Sequence, residues 1–261
     1  MARFAAAMGI LVLAAAGGSA AIAQQSATAE SAGARGFYFQ GDAGYALTRE
    51  TDIKRIDGPN STIGTAAFPM HGDIGEGAAV GLSVGYDLGN AYRIDVSVQR
   101  LIGLETEMRH RQSTASSSQS ITRGDVTAWT FMVGGAVHPL SRMAPDLLPR
   151  WFSPYLRAGI GLAQIEADRL RTQPGGAFSG SGPFSTPGGT ATKFAWSLGA
   201  GVDLKLAERI TLDVGYRYLD LGKLSYDSGT LTGPGVSEPV GRATGAELQT
   251  HTFTMGLRYR F

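Results

Sequence analysis

Four histidines are the side chains best suited to acid–base or metal chemistry in this 261-residue chain. They stand in the contexts His71-Gly-Asp, His110-Arg-Gln-Ser, His138-Pro and His251-Thr-Phe. Hydrolysis needs a nucleophile, a base and an orienting group brought together. Asp73 lies near His71 and Ser113 near His110, but neither pair has a third member at hand. None shows the His-x-Ser spacing suited to deacylating a lipid. All four therefore read as polar loop residues, and no catalytic residue, metal site or cofactor is expected. The chain has no cysteine, which excludes zinc–thiolate sites, disulfides and thiol nucleophiles. Gly159-Ile-Gly161 and Gly199-Ala-Gly201 lie inside alternating segments with no helix after them, so they are packing positions and cradle no phosphate.

A second candidate set is ionic. Asp42, Arg93, Asp95, Arg157, Asp203, Asp213, Arg217 and Arg258 all fall on the polar faces of alternating segments. Enclosed together, they would either line an ion path or pair into a network that fills the space. The second reading follows from size, because a small barrel encloses little more than its own side chains, and unpaired buried charge is costly. A third set, Arg109-His110-Arg111 followed by the serine-rich run Ser113 to Ser120, suits contact with anionic lipopolysaccharide or glycans. Simple hydrophilic covering is its alternative. Gly175 to Gly189, rich in Gly, Pro, Ser and Phe, reads as an adaptable loop.

The elements that must position these residues are strands. His251, Phe253, Met255, Leu257, Tyr259 and Phe261 share one face, opposed by Thr252, Thr254, Gly256, Arg258 and Arg260. Such period-two alternation marks a half-buried strand. The same pattern runs from Tyr92 to Gln99, from Phe194 to Leu204 and from Ile210 to Tyr218, and more weakly near Phe37, Val80, Trp129 and Leu156. Tyr38 breaks it. The total is eight, an even number as bacterial outer-membrane barrels have. Long polar links at about Thr48–Gly75, Leu104–Asp125, Ala167–Thr192 and Gly222–Gln249 alternate with short ones at Gly89-Asn90, Pro139–Arg150 and Lys205–Arg209. Transmembrane barrels sort their connections in this way, with long external loops and short periplasmic turns.

Composition decides which face is wet. Gly, Ala and Ser dominate the polar faces, which suits a crowded lumen better than a solvated exterior. Tyr45, Tyr86, Tyr92, Trp129, Phe194, Tyr218, Phe253 and Phe261 lie near strand ends on the apolar faces, as interfacial girdles do. The expected fold is therefore all-β: an eight-stranded antiparallel up-and-down transmembrane β-barrel with a polar lumen. Charged residues make up only 17% and glycines number 37, and mean hydropathy is −0.03, the average of a lipid face, a lumen and wet loops. Basic and acidic residues number 23 and 22, which disfavours nucleic acid as a partner.

Residues 1–23 read as a cleaved signal peptide: Arg3, the apolar run around Ile10-Leu11-Val12-Leu13, then Ala21-Ile22-Ala23 as the small-x-small site. Losing Arg3 leaves 22 basic and 22 acidic residues. Residues 24–35 form a flexible periplasmic leader and residues 36–261 the barrel domain with four long external loops.

The tail from Phe253 to Phe261 resembles the last strand of outer-membrane proteins, and Gly199 to Gly222 resembles the penultimate hairpin of small porin-like proteins. These are the opacity-type, OmpA-like barrels and the immunogenic outer-membrane proteins of alphaproteobacteria. The resemblance covers the mature chain as a pattern and these two segments as motifs. It implies a cell outer membrane location, surrounding lipid and lipopolysaccharide, and assembly by the barrel-assembly machinery with periplasmic chaperones. Leu257, Tyr259 and Phe261 then form the assembly signal. The peptidoglycan-binding domain of two-domain OmpA proteins has no counterpart here, so direct cell-wall anchoring is not expected. The implied function is non-enzymatic, in envelope structure and surface interaction, with a host or cell-surface ligand reached through the loops. Two other classes stand beside it: a narrow porin for small solutes and a lipid-modifying enzyme.

Overall fold

The computed structural model describes residues 35–48, 51–52, 55–56, 70–89, 91–111, 119–143, 147–173, 183–240 and 243–261. The signal peptide and all of the leader but Arg35 lie outside the described residues. Eight long strands make the barrel: β1 (Gly36–Thr48), β2 (Glu76–Gly89), β3 (Tyr92–Arg111), β4 (Gln119–Val137), β5 (Phe152–Ala167), β6 (Gly189–Lys205), β7 (Ile210–Tyr226) and β8 (Ala243–Arg260). Each pairs antiparallel with its chain neighbours, and β8 returns to β1 with Tyr45 opposite Phe253 and Tyr38 opposite Arg260. Closure pairs the backbone of every wall strand on both sides, the condition for standing in lipid.

The outer wall is apolar. Phe37, Val84, Val96, Val133, Ile160, Phe194 and Met255 all project outward and are exposed. Burial alternates residue by residue along β2: Ala79, Gly81, Ser83 and Gly85 are buried, while Ala78, Val80, Leu82 and Val84 between them are exposed. A one-residue slip would turn the whole lipid face into the lumen, so this alternation locks the register.

Two differences from the sequence reading have physical causes. First, the stretches read as long loops are partly strand. β3 runs 20 residues, β4 19 and β8 18, against roughly 10 for a bilayer crossing. Short strands extend this outer sheet: Met70–Ile74 pairs with β3, Leu170–Gln173 with β4, and the hairpin Gly229–Gly233/Val236–Val240 reaches it through Phe184–Thr186. Second, Tyr38 does not break the pattern of β1. It is an inward-facing residue, 2% exposed.

The three short connections lie at one end. The link after β4 contains a single short helix, α1 (Pro139–Met143), and the other two are tight turns. Barrels of this kind carry their short connections on the periplasmic side.

Candidate functional site

The inward-facing residues sort into two layers. The periplasmic half is ionic; beyond it the buried polar residues Gln99, Thr130, Ser197, Thr250 and Thr252 lead into an apolar cluster. Asp203 of β6 and Asp213 of β7 are direct cross-strand partners, an arrangement that repels unless cations intervene. Two arginines do so. Arg93 of β3 donates through Nη1 to Asp203 Oδ2 at 2.6 Å and through Nη2 to Asp213 Oδ2 at 3.5 Å. Arg258 of β8 donates to Asp203 Oδ2 at 3.0 Å and to Asp213 Oδ2 at 3.4 Å, and its Nη2 also meets Asp203 Oδ1. Arg93 thereby braces the wall across the lumen from its own strand.

Neutral groups complete the cluster. Tyr155 Oη donates to Asp213 Oδ1 at 3.1 Å, Tyr38 Oη to Asp95 Oδ2 at 3.2 Å, and Arg157 Nη2 to Asp95 Oδ1 at 3.0 Å. Arg258 Nε donates to Gln40 Oε1 at 3.2 Å. Two of the guanidinium groups also cover rings: Arg93 over Tyr155 at 4.5 Å and Arg258 over Tyr38 at 5.4 Å. Full pairing of this kind is what makes buried charge tolerable. Glycines provide the room. A Cβ at Gly201 or Gly215 would strike the Tyr155 hydroxyl, and one at Gly85 the Tyr38 ring.

Of the eight charges singled out by sequence, the structure brings Arg93, Asp95, Arg157, Asp203, Asp213 and Arg258 into this bonded cluster. Asp42 and Arg217 lie inward of the wall too, and interact by charge with each other, with Arg157 and with Asp95. Asp42 Oδ2 and both polar atoms of the Gln99 amide are buried with no hydrogen-bond partner among the described residues. The sequence reading missed Tyr38, Tyr155 and Gln40. Their signal was parity alone: Tyr38 and Gln40 stand at two-residue spacing with Asp42, and Tyr155 with Arg157.

Above the ionic layer the inward-facing polar residues are joined by an apolar cluster that the sequence reading did not anticipate. Leu101, Leu104, Val126, Ile165, Leu219, Leu221 and Leu248 meet there with the alanines Ala46, Ala79, Ala128, Ala163 and Ala195. A bulge makes this possible. The β3–β4 register shifts between Leu101 and Leu104, and Gly103, at φ 73°, absorbs the kink. Both leucines, three residues apart, then point inward.

One further grouping was not legible. His138, just past β4, has Nδ1 2.9 Å from Ser153 Oγ and Nε2 3.5 Å from Asp203 Oδ2. Ser141 Oγ lies 3.0 Å from the same Ser153 Oγ. Serine, histidine and aspartate thus meet at the periplasmic mouth. Their electrostatics oppose base catalysis, however. Burial, and then the Arg93 charge, hold His138 down to about 4, so the imidazolium that a general base must become is disfavoured. The grouping acts as a latch between α1 and the lumen. His251 is no loop residue either: it stands on the outward face of β8, with Nδ1 2.7 Å from the Tyr216 hydroxyl. His71 and His110 lie in strand backbone.

Leu257, Tyr259 and Phe261 project from the outer wall and are exposed. Arg109, His110 and Arg111 form the outer end of β3, where Arg111 pairs with Gln119 across the hairpin.

Comparisons with known proteins agree with this architecture. The outer membrane protein beta-barrel domain family matches residues 10–261. The outer membrane protein PagN of Salmonella typhimurium is 26% identical, over 87% of this chain and 90% of its own length. An uncharacterized protein of Brucella abortus is 27% identical, over 87% of this chain and 85% of its own. Among solved structures, OprG of Pseudomonas aeruginosa superposes with a TM-score of 0.52 at 14% identity, covering 88% of this chain and 99% of that one. An apolar wall, a closed eight-strand ladder and a family match along nearly the whole sequence converge: the chain belongs to the outer membrane protein beta-barrel domain family and resides in the outer membrane.

Proposed function

We propose that this protein is a non-enzymatic barrel whose filled lumen is a rigid strut and whose projecting strands serve surface interaction. The observation that carries this reading is the layered lumen: an apolar layer stacked on a bonded charge cluster leaves side chains, not solvent, between the two ends. A small barrel so filled is a platform. The strands that overrun the membrane supply the platform's outer face, and the Arg109-His110-Arg111 segment at the tip of β3 supports contact with lipopolysaccharide or an anionic host or cell-surface ligand. Removal of residues 1–23 on export, a periplasmic leader at 24–35, and recognition of Leu257, Tyr259 and Phe261 by the assembly machinery and its chaperones belong to the same proposal.

The porin reading is opposed by the apolar layer, because narrow apolar constrictions shed water. Among the described side chains, a lipid-modifying enzyme would find the Ser153–His138 pair, whose imidazole is a weak base. The test of display is an epitope inserted between Pro234 and Gly235, in the turn of the hairpin Gly229–Gly233/Val236–Val240. Antibody should label intact cells. Labelling confined to cells with a permeabilised envelope would overturn the assignment of this end as external.

A further inference from the structure

The periplasmic rim is not uniform around the barrel, and the difference is chemical. From β5 to β8 the strand ends form one continuous arc joined by backbone hydrogen bonds. Lys205 N donates to Trp151 O at 2.8 Å, Arg260 N to Arg209 O at 2.9 Å, and Phe261 N to Phe37 O at 3.0 Å. Along that arc, apolar and aromatic side chains face outward. Trp151 is 56% exposed with its ring edge-on to Phe152, and Leu206 is 61% exposed. Tyr259 packs edge-on against Phe261 at 5.4 Å.

Cations are interleaved with them. Arg150, Lys205 and Arg209 are exposed. Arg209 reaches the lipid-facing side, where its guanidinium meets the Tyr259 hydroxyl. Arg260 donates to Glu208 O at 3.1 Å. Over residues 147–152, 204–210 and 259–261, four cationic side chains thus stand against one acidic side chain, Glu208. The opposite rim differs. In the β2–β3 turn the Asp87 carboxylate accepts from Gly89 N at 3.0 Å, Arg93 is turned into the lumen, and the exposed cation is Arg35, next to the Gly36 that pairs with Asp87.

We propose that the β5–β8 rim is a binding arc for anionic phospholipid headgroups of the periplasmic leaflet. Tyr and Trp rings sit at the level where acyl chains meet headgroups, which fixes the depth of the arc. Guanidinium groups beside those rings then lie at phosphate height, and Arg matches phosphate oxygens with paired donors. Clustered Lys and Arg next to a membrane favour anionic over zwitterionic lipid. The proposal concerns the inner rim and rests on the orientation assigned under the proposed function, though not on any ligand of the outer loops.

The test uses the full chain with Trp129→Phe and Trp196→Phe, so that Trp151 is the sole tryptophan. It is folded into phosphatidylcholine bilayers containing about 30 mol% phosphatidylglycerol, a content at which basic clusters discriminate. Brominated acyl chains are placed on one lipid or the other. Per mole of bromolipid, brominated phosphatidylglycerol should quench Trp151 roughly twofold more strongly than brominated phosphatidylcholine, and high salt should reduce that preference. The variant R150Q/K205Q/R209Q should quench equally with both. Its folding is checked by heat-resistant electrophoretic mobility, and the salt arm on the unsubstituted rim stands whether or not that variant folds. Equal quenching by both lipids at low salt overturns the proposal, as does absence of quenching by either.

Discussion

Asp203 shows how the lumen handles charge residue by residue: two arginines from different strands share it, and a histidine approaches from the mouth. That histidine gives a pH dependence with a definite sign. His138 is held at about 4 against an ordinary value near 6.5. It is faced by Asp203 of β6, Arg93 of β3, Arg258 of β8, Asp87 of β2 and the Tyr155 ring of β5. Between pH 6.5 and 4 the unfolded chain binds a proton that the folded chain does not. Stability from this group is therefore complete above pH 6.5 and falls as pH drops through that window, by at most about 3 kcal/mol. Urea unfolding in lipid vesicles at several pH values should show His138→Asn with a flatter profile than the parent, and parallel profiles would refute this. Gln99 gives the opposite kind of prediction. Its amide is buried without partners and is followed, one inward position on, by Leu101 of the apolar layer. Gln99→Met, close in shape, should raise stability by about 1–2 kcal/mol, because a desolvated amide is exchanged for an apolar group; an unchanged or lower unfolding midpoint would count against it. The charged members of the lumen were legible as residue types at inward parity. Tyr38 and Tyr155 were not, since tyrosine suits a lipid interface as well as a lumen. His138 was not, since its partner Asp203 lies far along the chain.

At the scale of elements, alternation was readable only where lipid sets the contrast. In β6 and β8 one face meets acyl chains and the other a packed interior, so period-two hydrophobicity is strong. Beyond the bilayer that contrast disappears. From Glu105 to Arg111 both faces of β3 carry polar residues, yet the backbone continues in register, with Glu105 opposite Asp125 and His110 opposite Ser120. A polar strand and a polar loop look alike in composition, which is why the outer strands read as loops. The bulge in β3 was hidden for a related reason: one extra residue shifts parity, and Leu104 then resembles the start of a link. Gly103 can be tested directly. Its φ of 73° disfavours side chains, while nothing lies within 4 Å of the place a Cβ would take. The penalty for substitution is therefore backbone strain alone. Gly103→Val should cost about 1–3 kcal/mol and Gly103→Asn clearly less, because Asn tolerates the left-handed region and β-branched residues do not. Equal losses for Val and Asn in unfolding titrations would show that the constraint is space and not φ.

For the whole molecule, the proposed reading makes the two lumen layers plugs in series, and series blocks have a signature that separates a strut from a pore. The apolar layer resists water because its leucines offer no hydrogen bonds. The ionic layer resists ions because its charges are already paired and its volume is filled by Tyr38, Tyr155 and three arginines. Current needs a path through both. The unsubstituted protein in a planar bilayer should therefore show no steady conductance. Leu101→Ser with Leu219→Ser opens only the outer layer and should stay silent. Arg93→Ala with Tyr155→Ala opens only the inner layer, at a stability cost of several kcal/mol for the charges left unpaired, and should stay silent if it remains folded. Combining the four substitutions removes both blocks at once and should produce small, steady steps. Heat-resistant mobility on gels establishes that each variant is a closed barrel before its current is read. Conductance from the serine pair alone would mean that the ionic cluster is permeable and the porin reading correct. Silence of the folded fourfold variant would mean that the glycine-lined wall closes onto the space and that the strut is more rigid still.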